Sequence, residues 1–258
     1  MPTSVRFAVL LILLAAMSAC GGGGSNTPTS SSLAGNWQMT LQDNNTGAVK
    51  TESGFLLQSG NALTGNLLLT GQTECPGVGA ASGQVTSPAV SLTINQIAQT
   101  ATLTGQASSD GSTISGTYSI LASGCGGTQV GKWMATLVKP LSGNFKATFT
   151  SGATSIVFPA SGMIAQNSNS GGSTTNLSGS LSASDAPCLT AATITGVISG
   201  TTVLLNFSSQ EGAPLGQYRG TMTTDGTMIT GNYNLLSTPS PPGGQCDDFG
   251  TAVITIQP

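Results

Sequence analysis

The stretch "LAGNWQMTL" (Leu33–Leu41) returns in the second half of the chain as "LSGNFKATF" (Leu141–Phe149). In each copy apolar and polar residues alternate: Trp37, Met39 and Leu41 against Gln38 and Thr40, then Phe145, Ala147 and Phe149 against Lys146 and Thr148. Such alternation marks a strand with one buried face, because successive side chains leave a pleated strand on opposite sides. The match does not stand alone. "ALTGNL" (Ala62–Leu67) pairs with "NLSGSL" (Asn176–Leu181), and "DGSTISGTY" (Asp110–Tyr118) with "DGTMITGNY" (Asp225–Tyr233). Gly105 and Gly220 each lie five residues before the Asp of the last pair. Matches kept in the same order indicate one unit written twice, over 33–139 and 140–258, with Lys139–Pro140 as the joint.

Period two dominates both halves, and no stretch from residue 33 on carries a helical period. Val90, Leu92 and Ile94 alternate with Ser91 and Thr93; Trp133, Ala135 and Leu137 with Met134 and Thr136; Val203, Leu205 and Phe207 with their polar neighbours. The pattern predicts eight strands in the first half, near 36–42, 54–59, 62–70, 80–86, 89–95, 99–107, 112–120 and 129–138. The connections are short and rich in Gly, Asn, Asp and Ser, the residues hairpin turns require. Asp110 and Asp225, each before a glycine, read as turn residues. The expected fold class is all-β: two tandem, internally duplicated antiparallel domains of about eight strands each. A closed barrel is favoured over a sandwich because closure removes exposed edges, and mid-strand glycines suit the bends of small barrels. A membrane-spanning barrel needs aromatic girdles, and the chain holds only two Trp, three Tyr and seven Phe.

"GNW" at Gly35–Trp37 resembles the G-x-W that opens lipocalin barrels, and avidin-type barrels begin similarly. The resemblance implies a small barrel, and it implies for Lys132 the part of the basic residue that covers that tryptophan. The second half departs from it, with Phe145 for Trp37 and Thr251 for Lys132.

The leader carries a second resemblance. "FAVLLILLAAM" (Phe7–Met17) follows Arg6 and is too short to cross a bilayer, which takes about 20 residues. It has the length of a signal-peptide core, about 7–15 residues. The following "MSAC" (Met17–Cys20) resembles the bacterial lipobox, with Met17 where leucine is usual. That resemblance implies removal of residues 1–19, diacylation of the Cys20 thiol (palmitate or a similar chain) and acylation of the new amino terminus. Residues 20–32 are then the lipidated cysteine and a tether, which its Gly and Ser make flexible. Gly21 in place of the inner-membrane aspartate points to the outer membrane of a two-membrane cell envelope, with the membrane as a partner through the lipid anchor.

With Cys20 assigned to lipid, Cys75, Cys125, Cys188 and Cys246 remain, an even number in an oxidising compartment. The duplication aligns Cys75 with Cys188 and Cys125 with Cys246, so the expected bridges are Cys75–Cys125 and Cys188–Cys246. No metal site is expected: the chain has no histidine and no C-x-x-C. Six Lys and Arg against nine acids make no basic patch for nucleic acid. Without histidine there is no Ser-His-Asp arrangement. Asp247 and Asp248 alone do not supply the ligands calcium takes. No cofactor and no catalytic residue is expected. Trp37, Trp133, Tyr118, Phe145 and Tyr233 are the candidates for lining a ligand pocket, although plugging the core is the simpler use of the two tryptophans. The expected function is a non-catalytic envelope lipoprotein that binds a small apolar ligand or another envelope protein. A ligand carrier and a carboxylate-dependent enzyme are the alternatives, and the oligomeric state is open.

Overall fold

A computed structural model describes residues 31–70, 77–97, 99–122, 127–169, 171–184, 189–210, 212–236 and 248–257. Cys20 and the other four cysteines, with the leader and tether up to residue 30, lie outside the described residues. Among those described, every regular element is a strand.

The first half contains β1 (Gly35–Asp43), β2 (Val49–Ser59), β3 (Ala62–Thr70), β4 (Gly77–Thr86), β5 (Ala89–Gln96), β6 (Gln99–Ala107), β7 (Thr113–Ala122) and β8 (Gln129–Val138). Each pairs antiparallel with the next, and β8 closes on β1, making barrel 1. The second half repeats the plan with β9 (Gly143–Ser151), β10 (Val157–Gln166), β11 (Thr175–Ala183), β12 (Ala191–Ser199), β13 (Thr202–Ser208), β14 (Pro214–Met222), β15 (Met228–Leu235) and β16 (Asp248–Ile256). There β16 closes on β9, making barrel 2. The expected all-β duplication is present, and its halves are barrels. β2 begins five residues before its predicted start, at Val49. Its inward positions there carry Lys50 and Glu52, so the hydropathy pattern does not mark them as strand.

Alternation decides what fills each barrel. Trp37, Met39, Leu41, Leu63, Leu67, Leu92, Ile94, Leu103 and Trp133 point into barrel 1, and Phe145, Phe149, Phe158, Ile194, Leu205, Phe207, Tyr218 and Tyr233 into barrel 2. Each fully buried large apolar side chain contributes about 1.5–3 kcal/mol. Let the lower end of a barrel be the one where its first strand starts. The repeat places one plug there in each barrel. Leu33 and Leu141 are fully buried; the Leu33 amide donates to Gln58 Oε1 at 2.7 Å, and the Leu141 amide to Gln166 Oε1 at 2.9 Å.

The lower end of barrel 2 packs on the wall of barrel 1. The β12–β13 turn at Gly200 sits on β1 and β2: Asn36 Nδ2 donates to the Gly200 carbonyl at 2.8 Å, and the Gly200 amide returns a bond to Asn36 Oδ1 at 2.7 Å. The Ser53 and Ser199 hydroxyls are 2.9 Å apart, and the Lys139 amide donates to the Thr224 carbonyl at 2.9 Å. Gly200 has φ 53°, and a Cβ there would fall 2.6 Å from Ser53 Cβ, so glycine alone fits this contact.

Candidate functional site

The structure places all five candidate pocket residues inside the barrels, buried in the two cores: Trp37, Trp133 and Tyr118 in barrel 1, Phe145 and Tyr233 in barrel 2. They are not brought to one place. Trp37 stands in the lower half of its barrel, where its Nε1 donates to the Leu33 carbonyl at 2.9 Å. Trp133 Nε1 donates to the Thr104 carbonyl at 3.0 Å. Lys132 does not cover Trp37. It is exposed on the outer face of β8, the opposite side of the sheet, and it pairs with Gln42 near the upper end. With Thr40, Gln42, Ser115, Thr117 and Met134 it lines an open groove of about 520 Å³ on the outside of barrel 1.

Most described acids are committed to turns. Asp110 accepts from the Ser108 hydroxyl at 2.6 Å and from the Ser112 amide and hydroxyl at 3.1 and 2.8 Å, which holds its carboxyl down to about 2. Asp225 is held below its ordinary value in the same way by Thr223 and Thr227. Asp43 Oδ1 accepts from the Thr46 and Asn45 amides, each at 2.8 Å, and these bonds lower its pKa.

The barrels differ at their upper ends. In barrel 2, Phe149 stacks on Phe158 with centroids 5.1 Å apart and meets Tyr233 edge-on at 5.1 Å; Phe207 joins at 6.5 Å. The Tyr233 hydroxyl donates to Asp248 Oδ2 at 2.6 Å, and the Ser151 hydroxyl donates to Asp248 Oδ1 at 2.7 Å. Burial, then the bond to Asp248, pushes the Tyr233 phenol up. This interior is apolar, with its polar atoms paired.

Register identifies the matching positions in barrel 1. Leu41 pairs with Lys50 as Phe149 pairs with Phe158, and Met39 with Glu52 as Ala147 with Ala160. So Lys50 and Glu52 occupy the places of Phe158 and Ala160. Gln129 stands where barrel 2 has Asp248, and Lys50 Nζ donates to Gln129 Oε1 at 2.5 Å. Tyr118 keeps the place of Tyr233, against Gly131, where a Cβ would fall 2.7 Å from the ring. Glu52 is 1% exposed, and burial raises its pKa to about 7 against the pull of Lys50. Burial and the nearby Asp43 raise the Tyr118 phenol. Among the described residues, three buried side-chain atoms have no hydrogen-bond partner: Glu52 Oε2, Gln99 Oε1 and the Tyr118 hydroxyl. All three belong to barrel 1. Sequence reasoning passed over Glu52 and Gln99. The signal was there, in the repeat: with the halves aligned, a Lys and a Glu fall on inward positions that hold Phe and Ala in the other copy.

Fold and interior define a tandem eight-stranded β-barrel protein with one apolar and one partly polar barrel. No protein-family model matches the chain, and no curated protein matches it. Among solved structures it is similar to a protein of unknown function from the DUF3598 family of Nostoc punctiforme, with 10% identity and a TM-score of 0.26, over 87% of this chain and 96% of that one. It is also similar to kievitone hydratase from Nectria haematococca, with 11% identity and a TM-score of 0.25, over 90% and 92% of the two chains. Likeness at this level transfers no activity to this chain.

Proposed function

We propose that this chain is a non-catalytic binding module of the bacterial cell envelope, tethered through lipid on Cys20 and held at the outer membrane. The observation that carries the reading is the leader: an apolar core of signal-peptide length ends at "MSAC" and passes at once into "GGGGS". Two acyl chains give firm anchoring, since each buried methylene contributes about 0.8 kcal/mol. The large apolar side chains buried in both cores, among them Trp37, Trp133, Phe149 and Phe158, support a binding module over a carrier of apolar cargo. Commitment of Asp43, Asp110, Asp225 and Asp248 to hydrogen bonds within the fold supports binding over chemistry on those four carboxylates.

The same reading includes the bridges Cys75–Cys125 and Cys188–Cys246. Its support is topological. The β3–β4 and β7–β8 connections, which carry Cys75 and Cys125, both leave the upper end of barrel 1, and the β11–β12 and β15–β16 connections do the same in barrel 2. The test is fractionation of wild type and Cys20→Ser after labelling with a fatty-acid analogue. Label and membrane retention in the wild type, both lost in the variant, are expected; retention of the unlabelled variant in the membrane overturns the anchor. Non-reducing peptide mapping checks the pairing, and a Cys75–Cys188 bridge overturns it.

A further inference from the structure

The three unpartnered atoms lie in one barrel, and the other barrel serves as their control. Barrel 2 uses the same strand register and the same tyrosine, yet pairs the polar atoms of its upper interior through Asp248 and Ser151. The frame itself therefore does not force unpartnered groups on barrel 1. A buried polar atom without a partner is costly, and a buried carboxylate more so. Glu52, Gln99 and Tyr118 are 1%, 5% and 3% exposed, so bulk water does not offset that cost.

Their chemistry specifies what is missing. Gln96 Nε2 donates to the Gly77 carbonyl, which turns Gln96 Oε1 toward Gln99 and makes the Gln99 Nε2 the donor between them. Gln99 is thus left with a free acceptor. A carboxylate oxygen is also an acceptor, and a phenol serves as either. Gln99 Oε1 therefore takes a donor, and so does Glu52 when ionised. The charges give the donor's sign: Glu52 is the buried acid with an unpartnered oxygen, the Asp43 carboxylate is taken up by the Asn45 and Thr46 amides, and the Lys50 ammonium already donates to Gln129. The rings of Tyr118 and Trp133 stand in the same core, and aromatic rings attract cations over their faces.

We propose that the upper interior of barrel 1 binds a small organic cation of the ammonium or guanidinium class, with the Glu52 carboxylate as counter-charge and Gln99 Oε1 and the Tyr118 hydroxyl as further acceptors. This deepens the reading of the chain as a binding module by naming the ligand class and the barrel. Barrel 2, with Phe158 and Ala160 at the matching positions, takes no such ligand.

The experiment uses the full chain in detergent, with ammonium, methylammonium and guanidinium chlorides at low millimolar concentration. Sodium chloride and sodium acetate are the matched controls. Both tryptophans sit in barrel 1, so tryptophan emission reports melting of that barrel alone. At least one nitrogen cation is expected to raise this transition by several degrees over sodium chloride, saturably, as a ligand of the native state does. Glu52→Gln should weaken binding at least about tenfold, and Tyr118→Phe about two- to tenfold, the loss of one hydrogen bond. No saturable binding by any of the three cations overturns the proposal and leaves water or a proton as the occupant. Equal binding by a folded Glu52→Gln also overturns it; if that variant does not fold, equal binding by Tyr118→Phe decides against it. Because the readout is binding to purified protein, it is independent of the Cys20 fractionation, and either result can fail without the other.

Discussion

Barrel 1 and barrel 2 are close copies in register and differ in how their upper halves are filled. Barrel 2 inserts Phe149, Phe158 and Phe207 where barrel 1 has Leu41, Lys50 and Ile94. Lower down the exchange is one of volume. Trp133 of β8 and Leu103 of β6 share the core of barrel 1; at the same positions barrel 2 has Ala252 and Tyr218, and the Tyr218 hydroxyl reaches the Ala252 carbonyl at 3.3 Å. A large ring has moved from the last strand to the sixth, and the interior stays packed, as volume-conserving repacking allows. The Lys50–Glu52 exchange is different in kind. It conserves no apolar volume and places a buried carboxyl and a partly buried ammonium on inward positions, which lowers stability where such groups lack partners. Closing an eight-stranded barrel requires an inward apolar set, and the comparison shows that it does not require every inward position to be apolar.

The largest expected effect follows from Glu52. Its pKa is 4.5 in the unfolded chain and about 7 in the barrel, so the folded state holds the proton more tightly. Below pH 4.5 both states are protonated and the stability of barrel 1 is at its fullest with respect to this group. As pH rises past 4.5 the unfolded chain ionises first, and stability falls until the folded group ionises near 7. Over that window the loss is roughly 3 kcal/mol in order of magnitude, at 1.36 kcal/mol per unit. Two other described groups that face this interior stay outside that window: Asp43 is held low and the Tyr118 phenol is raised. Urea unfolding followed by tryptophan emission from pH 4 to 8 should show the fall in wild type and its absence in Glu52→Gln. An unchanged slope in the variant would remove the difference between the barrels.

The site and the frame were unequally legible in the sequence, and β2 shows why. The strands of barrel 1 that alternate cleanly, such as Trp37–Met39–Leu41 and Val90–Leu92–Ile94, were readable because apolar residues mark the inward face. From Val49 to Ser53 the inward residues are Lys50 and Glu52, so period two carries no hydrophobic signal and the segment resembles a loop until Phe55. The features that hide a strand from hydropathy are the same ones that make this stretch chemically distinct. Lys132 misled in the opposite way: three residues of likeness at "GNW" suggested a partner for Trp37, but alternation from Trp133, which points inward, requires Lys132 to point outward.

A smaller effect separates the two tyrosines. Tyr233 donates to a carboxylate, and a hydrogen bond to a charged group contributes about 1.5–3 kcal/mol. Tyr118 has no partner, so removing its hydroxyl also removes a desolvation cost. Tyr233→Phe should therefore destabilise barrel 2 by about 1.5–3 kcal/mol, read by circular dichroism, while Tyr118→Phe leaves the tryptophan-detected transition of the ligand-free protein unchanged or raises it. Equal losses at both positions would mean that barrel 1 supplies its own partner to Tyr118, and the contrast between the upper interiors would narrow to Lys50 and Glu52.

The smallest effect tests how closely the two copies share a backbone. After β1 the chain turns through Gly47, at φ 70°, whose amide donates to the Asp43 carbonyl at 2.9 Å; after β9 it turns through Ser155, at φ 59°, whose amide donates to the Ser151 carbonyl at 2.9 Å. The turn is the same, but only one copy has glycine at the left-handed position. A residue with a Cβ meets the following carbonyl there, at a cost of about 1–2 kcal/mol. Glycine avoids that cost and gives back about 0.5–1 kcal/mol through the greater freedom of the unfolded chain. Ser155→Gly should thus stabilise barrel 2 by about 0.5–1 kcal/mol, and Gly47→Ser should destabilise barrel 1 by a similar amount, seen in tryptophan emission. The pair is informative because its members share no environment but the turn. If Gly47→Ser is costly while Ser155→Gly brings no gain, the Ser155 side chain offsets its own strain, and the two turns, alike in backbone, are stabilised by different means. If both follow the expected signs, local backbone energetics are common to the copies, and the divergence between them is confined to what their inward side chains do.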